Sequence, residues 1–187
     1  MSPFNLLAAP GFAVIRILLL IVLVIAAASD LHRRRIPNFL TFPTALAALI
    51  VHAVYGGVAA LGASFLAFLA WFALGFLFYR TAAGKEIGGG DIKLIMAMSA
   101  CVGFMPTAYI AFISLSLVLL WLLVRWIAQG TIRANLSGLY AWLGATATPG
   151  LEKAHFRPVG MVDRTPLGPF MLAAALLCFY LHTKGLL

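Results

Sequence analysis

Apolar blocks follow one another along this chain, each closed by a short polar, proline-bearing or glycine-bearing break. A hydrocarbon core about 30 Å thick needs about 20 apolar residues in a helix. On that measure the blocks predict helices near 12–29, 37–55, 58–79, 91–103, 107–127 and 167–182. Pro37 suits a first helical turn, while Pro43 is expected to kink the second helix or delay its regular part. Gly56-Gly57 separates the second helix from the third, and Pro106 follows the fourth. The fourth block is short for a full span at 1.5 Å per residue, which predicts burial among the other helices or a thinned region. The reading is an all-α polytopic membrane protein, with about six transmembrane helices in one membrane-embedded domain over 1–187. Between the fifth and sixth helices, 128–166 is long for a simple connection. There Leu136, Leu139, Tyr140, Trp142 and Leu143 can share one apolar face lying on the membrane surface.

Composition agrees with that class. The 187 residues are 64% hydrophobic and 10% charged, against roughly half and a quarter in ordinary soluble domains. The net charge of +8 would suit nucleic acid if it formed a stripe on a soluble face. Instead Arg33, Arg34, Arg35, Arg80, Lys85, Arg133, Lys153, Arg157 and Arg164 fall in the breaks 30–36, 80–90 and 128–166. Nucleic acid is therefore excluded as a partner, and the lipid bilayer takes its place. The positive-inside rule makes those three loops cytoplasmic and both termini external. All five acids, Asp30, Glu86, Asp91, Glu152 and Asp163, then share the cytoplasmic side. Ala26-Ala27-Ala28-Ser29 resembles a signal cleavage site, but no Lys or Arg precedes Arg16, so the first block reads as a retained helix. Cys101 and Cys178 lie inside apolar blocks and read as small buried hydrophobes.

Two acids stand at block edges. Asp30 ends the first block, where the helix dipole disfavours negative charge; an ion pair with Arg33 or Arg34 and a catalytic role are both open there. Asp91 starts the fourth block, where Asp is a favoured N-cap. Three glycines before it, Gly88, Gly89 and Gly90, are more than a cap needs, and they permit φ > 0 and close approach of another backbone. Two carboxylates held together at one membrane face share a proton. The ionised member can deprotonate water while the protonated member hydrogen-bonds a scissile carbonyl. His32, His52, His155 and His182 are scattered without metal-ligand spacing, and there is no Gly-x-Ser-x-Gly elbow or phosphate loop. No metal and no cofactor is expected.

At these residues the chain resembles the prepilin peptidases, the bacterial Gly-x-Gly-Asp membrane aspartyl proteases. The first part of the resemblance is Asp30 with Arg35-Ile36-Pro37-Asn38-Phe39-Leu40-Thr41. Gly88-Gly89-Gly90-Asp91-Ile92-Lys93-Leu94 is its core, and Thr165-Pro166-Leu167-Gly168-Pro169-Phe170 looks like the opening of the family's last helix.

The resemblance implies that Asp30 and Asp91 are the catalytic pair and that Gly88, Gly89, Gly90 and Lys93 lie on the substrate side. It implies removal of the basic leader from type IV pilin-like precursors at the cytoplasmic face of the inner membrane. Larger members carry paired Cys-x-x-Cys motifs and also methylate the new N-terminus. Those motifs do not occur in these residues, so peptidase activity alone is expected, as in short forms serving Flp-type pili. Preflagellin-type peptidases are also similar. The alternative from another class is a non-catalytic membrane assembly or transport protein. Transporters hold ionisable groups near the bilayer midplane, whereas both aspartates here stand at block edges. Oligomeric state is not legible.

Overall fold

The computed structural model describes residues 13–81, 89–147 and 166–185. Six α-helices make up its regular structure, and no strand occurs among the described residues: α1 Ala13–Arg33, α2 Asn38–Thr81, α3 Gly89–Val102, α4 Phe104–Ala128, α5 Ile132–Ala147 and α6 Gly168–Thr183. α1, α2 and α4 are long and apolar enough to cross a membrane, and α6 is a shorter apolar helix. The all-α membrane class expected from the blocks is the class observed. The chain divides into two compact units, Met1–Leu115 with Pro166–Leu187, and Ser116–Thr165.

α1 shows how an apolar helix divides its surface. Ile15, Leu19, Val22, Leu23, Ala26 and Ala27 are buried and recur at helical spacing along one face. Val14, Ile17, Ile21, Val24 and Ile25 are exposed on the remainder. In water such exposure would be a large apolar liability, whereas in lipid it is the expected outer surface. The buried stripe continues one step further and ends on Asp30.

α2 is two helices in one. Gly57 has φ 69° and ψ −167°, and it is the non-helical residue inside the element. A straight run from Asn38 to Gly75 would span about 55 Å. Yet Asn38 and Gly75 both meet the first turns of α3, through Lys93 and Ile92 respectively. The chain therefore doubles back at Gly57, where a left-handed φ suits glycine, into two arms of about 20 residues, each sufficient for a bilayer core. α3 packs along this hairpin and also touches α1. Leu94 and every residue from Met96 to Val102 are buried, so α3 is an interior helix. Ser64 on the returning arm donates its hydroxyl to the Ala100 carbonyl at 2.6 Å, partnering a polar group inside the apolar unit.

Three local expectations are corrected. Pro43 lies inside α2 without non-helical backbone around it. α3 begins at Gly89 instead of Asp91, so Gly89 and Gly90 are its first turn. Pro106 falls in the first turn of α4 instead of between helices, a position whose N–H has no intrahelical acceptor in any case. The break before it is a single residue, Gly103, with φ 87°.

α6 packs on α1 with Gly168, Met171, Ala174, Ala175 and Cys178 buried. The second unit contains the end of α4 and all of α5. Gly130, with φ 67°, forms the turn between them. Thr131 accepts a 3.2 Å bond from the Asn135 amide, and Arg125 stacks 5.3 Å above the Trp121 ring. Helix α5 thus occupies part of the stretch that the sequence presents as the loop 128–166. Leu136 and Tyr140 are exposed on it.

Candidate active site

The last turn of α1 carries Asp30 on the helix's core face. The residue is 7% exposed, and its Oδ2 accepts a 2.8 Å bond from the backbone N–H of Gly168. Gly168 is the first residue of α6, preceded by the N-cap Leu167 and followed by Pro169. The dipole at the end of α1 opposes a negative group, while the start of α6 presents positive partial charge to it. The tight approach depends on glycine. A Cβ at 168 would lie 3.0 Å from Ala27 Cα, 3.1 Å from Asp30 Cβ and 3.3 Å from the Ala26 carbonyl oxygen.

Beyond Asp30 the chain turns sharply. Arg34 N donates to the Asp30 carbonyl at 2.9 Å, and Arg34 takes φ 52°, which ends the helix. Ser29 Oγ donates to the Arg35 carbonyl at 2.8 Å and ties down the turn. Ile36 is folded inward as a result, and the start of α3 rests on it. A Cβ at Gly90 would lie 3.2 Å from Ile36 Cβ and 3.4 Å from its backbone N.

Asp91 follows directly, half-buried in the first turn of α3. It is not the N-cap that its sequence position suggests; it is the third helical residue, still within reach of the helix's positive end. Two residues on, Lys93 Nζ donates to Asn38 Oδ1 at 2.9 Å and lies 5.7 Å above the Phe42 ring.

The three stretches singled out in the sequence therefore converge. The second touches the first through Gly90–Ile36 and Lys93–Asn38, and the third touches it through Gly168–Asp30. Asp30 and Asp91 come to the same end of the first unit, joined by the Ile36 turn. Of the glycines, Gly90 serves contact with the protein's own backbone, while a Cβ at Gly89 would meet nothing within 4 Å among the described residues. Neither has positive φ. Gly88 lies outside the described residues, as does most of the loop 80–90. Sequence reasoning does not mark Gly168 and Asn38 as site residues. The signal for the first is a glycine flanked closely by prolines in Pro166-Leu167-Gly168-Pro169, and for the second its place two residues after Ile36.

No cluster of three His, Cys, Asp or Glu side chains occurs among the described residues. A cavity of about 420 Å³ is lined by His52, Ala63, Ser64, Ala67, Val102 and Phe104 among others. It lies at the far end of α3 from the aspartates, is almost wholly apolar, and is not the candidate site.

An all-α membrane protein with two aspartates at one end of a helix bundle is the class these features define. The model of the type IV leader peptidase family matches residues 17–124, more than half of the chain, and the chain belongs to that family. No curated protein and no solved structure matches it.

Proposed function

We propose that the chain is an aspartyl endopeptidase that removes the basic leader of type IV pilin-like precursors, of the Flp type, at the cytoplasmic face of the inner membrane. Family membership supports the leader-peptidase part. The observation carrying the aspartyl part is Asp30, a buried carboxylate on the core stripe of α1, held at the same end as Asp91. The ionised member of the pair removes a proton from water, which attacks the scissile carbonyl carbon. The protonated member donates to the carbonyl oxygen. Collapse of the tetrahedral adduct breaks the C–N bond as a proton passes to the departing amine. No metal or cofactor enters. Gly89, open on its Cβ side, receives the substrate backbone together with Gly88. Lys93, tethered to Asn38, holds the edge of that path.

The cytoplasmic assignment rests on the basic breaks containing Arg33–Arg35 and Lys85 and on the uncharged Gly56-Gly57 bend. Peptidase activity without methyl transfer is proposed because the two cysteines are isolated and buried. The test is incubation of the purified chain with a pilin precursor, followed by sequencing of the new N-terminus. Cleavage after the basic leader is expected, with the new N-terminus unmethylated when a methyl donor is added. An intact precursor would favour the assembly or transport reading.

A further inference from the structure

The start of α6 is built around Asp30 in a way that the reaction itself does not require. Three observations concern one contact. Gly168 N–H donates to Oδ2 at 2.8 Å in a buried setting. Pro169 follows in the first turn and has no N–H of its own, so it cannot supply a competing donor. Any side chain at 168 would press on Ala27, the Ala26 carbonyl and Asp30 itself. The helix carrying Asp30 packs against α6, with Ala26 and Ala27 buried and lying against Gly168.

We infer that Gly168 is a positioning residue, whose backbone N–H fixes Oδ2 of Asp30 and leaves the other carboxylate oxygen to face the reaction. A carboxylate next to open space samples several χ2 angles, since that torsion is broad. One oxygen tied to a helix N-terminus removes most of that freedom before substrate arrives, which is the preorganisation acid–base chemistry depends on. The 138-residue separation between donor and acceptor makes docking of α6 on α1 a condition for activity, although α6 lies outside the region matched to the family.

The inference rests on Asp30 belonging to the catalytic pair, and the experiment separates the two. Glycolate replaces glycine at 168 in protein made by cell-free translation into lipid discs, which exchanges the amide N–H for an ester oxygen and adds no atom. The matching ester at Leu172, in the next turn of α6, controls for loss of an ordinary helix bond. The expected result is a fall in kcat of about tenfold or more at 168, the scale of a bond to a charged group, with KM unchanged and thermal stability equal to that of the Leu172 ester. The Leu172 ester is expected to keep wild-type kcat. Wild-type kcat in the 168 ester, with Asp30→Asn inactive, overturns the positioning role and leaves the peptidase reading standing. Cleavage by Asp30→Asn at the wild-type rate would instead remove the peptidase dyad itself. Gly168→Ala, which displaces α6 as well as changing the contact, is expected to lose more activity than the ester; equal or higher activity also counts against the inference.

Discussion

The two ends that carry the aspartates are built on different principles. Asp30 is held by tertiary structure: it closes a buried stripe of six apolar residues, and its hydrogen-bond donor comes from α6, 138 residues further on. Asp91 stands in the first turn of the helix that its own glycines begin, half-buried and near that helix's positive end. The difference teaches where precision comes from in a small membrane enzyme. A fixed group with one assigned donor suits a reference position, while a group at the edge of a short interior helix suits contact with an arriving chain. The glycines sort in the same way. Gly90 and Gly168 are small because other parts of the protein press on them, and Gly89 because space is left open.

The strongest test treats the aspartates as equals. Asp30→Asn and Asp91→Asn are each expected to cut precursor turnover at least about a hundredfold, the lower range of general acid–base contributions, with both proteins folded in the membrane by circular dichroism. Asn keeps the shape and, at 30, still offers an oxygen to the Gly168 N–H. Substantial turnover by one variant alone would break the pair and leave a single-carboxylate mechanism.

The next effect is in pH. On the proposed acid–base mechanism, one member of the pair works ionised and the other protonated, so the pH profile reports the pair and not either residue. The profile of kcat/KM is expected to be bell-shaped, falling by about tenfold per pH unit outside the two apparent limits. It falls at low pH as the second proton binds and at high pH as the last one leaves. A profile that rises to a plateau without an alkaline limb would remove the requirement for a protonated member.

Substitution of the glycines sharpens the contrast at lower amplitude. Gly90→Ala places a methyl group 3.2 Å from Ile36 Cβ, an overpacking expected to cost about 1–3 kcal/mol and to reduce thermal stability and activity together. Gly89→Ala meets nothing among the described residues and is expected not to lower stability, while raising KM where the substrate backbone must pass. If both variants lower stability equally, the division between packed and open glycines is wrong.

Much of this architecture is legible in the chain because lipid demands unbroken apolar blocks and short breaks. The membrane class, the bend at Gly57 and the places of Asp30 and Asp91 near helix ends follow from where those blocks stop. Helix starts are harder to read. Gly89 and Gly90 look like a loop on propensity, yet α3 starts there because the turn at Ile36 and the hairpin give it a surface to pack on. Pro106 looks like a helix boundary, yet the first turn of α4 accepts it because no N–H is needed there. Gly168 is hidden for another reason: its partner is 138 residues away, and no local periodicity reports a contact at that distance.

The smallest expected effect concerns Lys93. Its ammonium bonds Asn38 Oδ1 at 2.9 Å and sits above Phe42, all at the junction of α2 and α3. Lys93 is half-exposed, so solvent screens the interaction and the net value of the bond is about 1 kcal/mol or less. Lys93→Met keeps the unbranched stem over the Phe42 ring and removes only the charge and the donor. Turnover is expected to fall a few-fold, with thermal stability nearly unchanged, and Asn38→Ala is expected to match it because both delete the same bond. The double variant then shows little further loss, since the two changes share one interaction. Additive losses would mean that Lys93 acts independently of Asn38, and that the tether does not set its position at the edge of the substrate path.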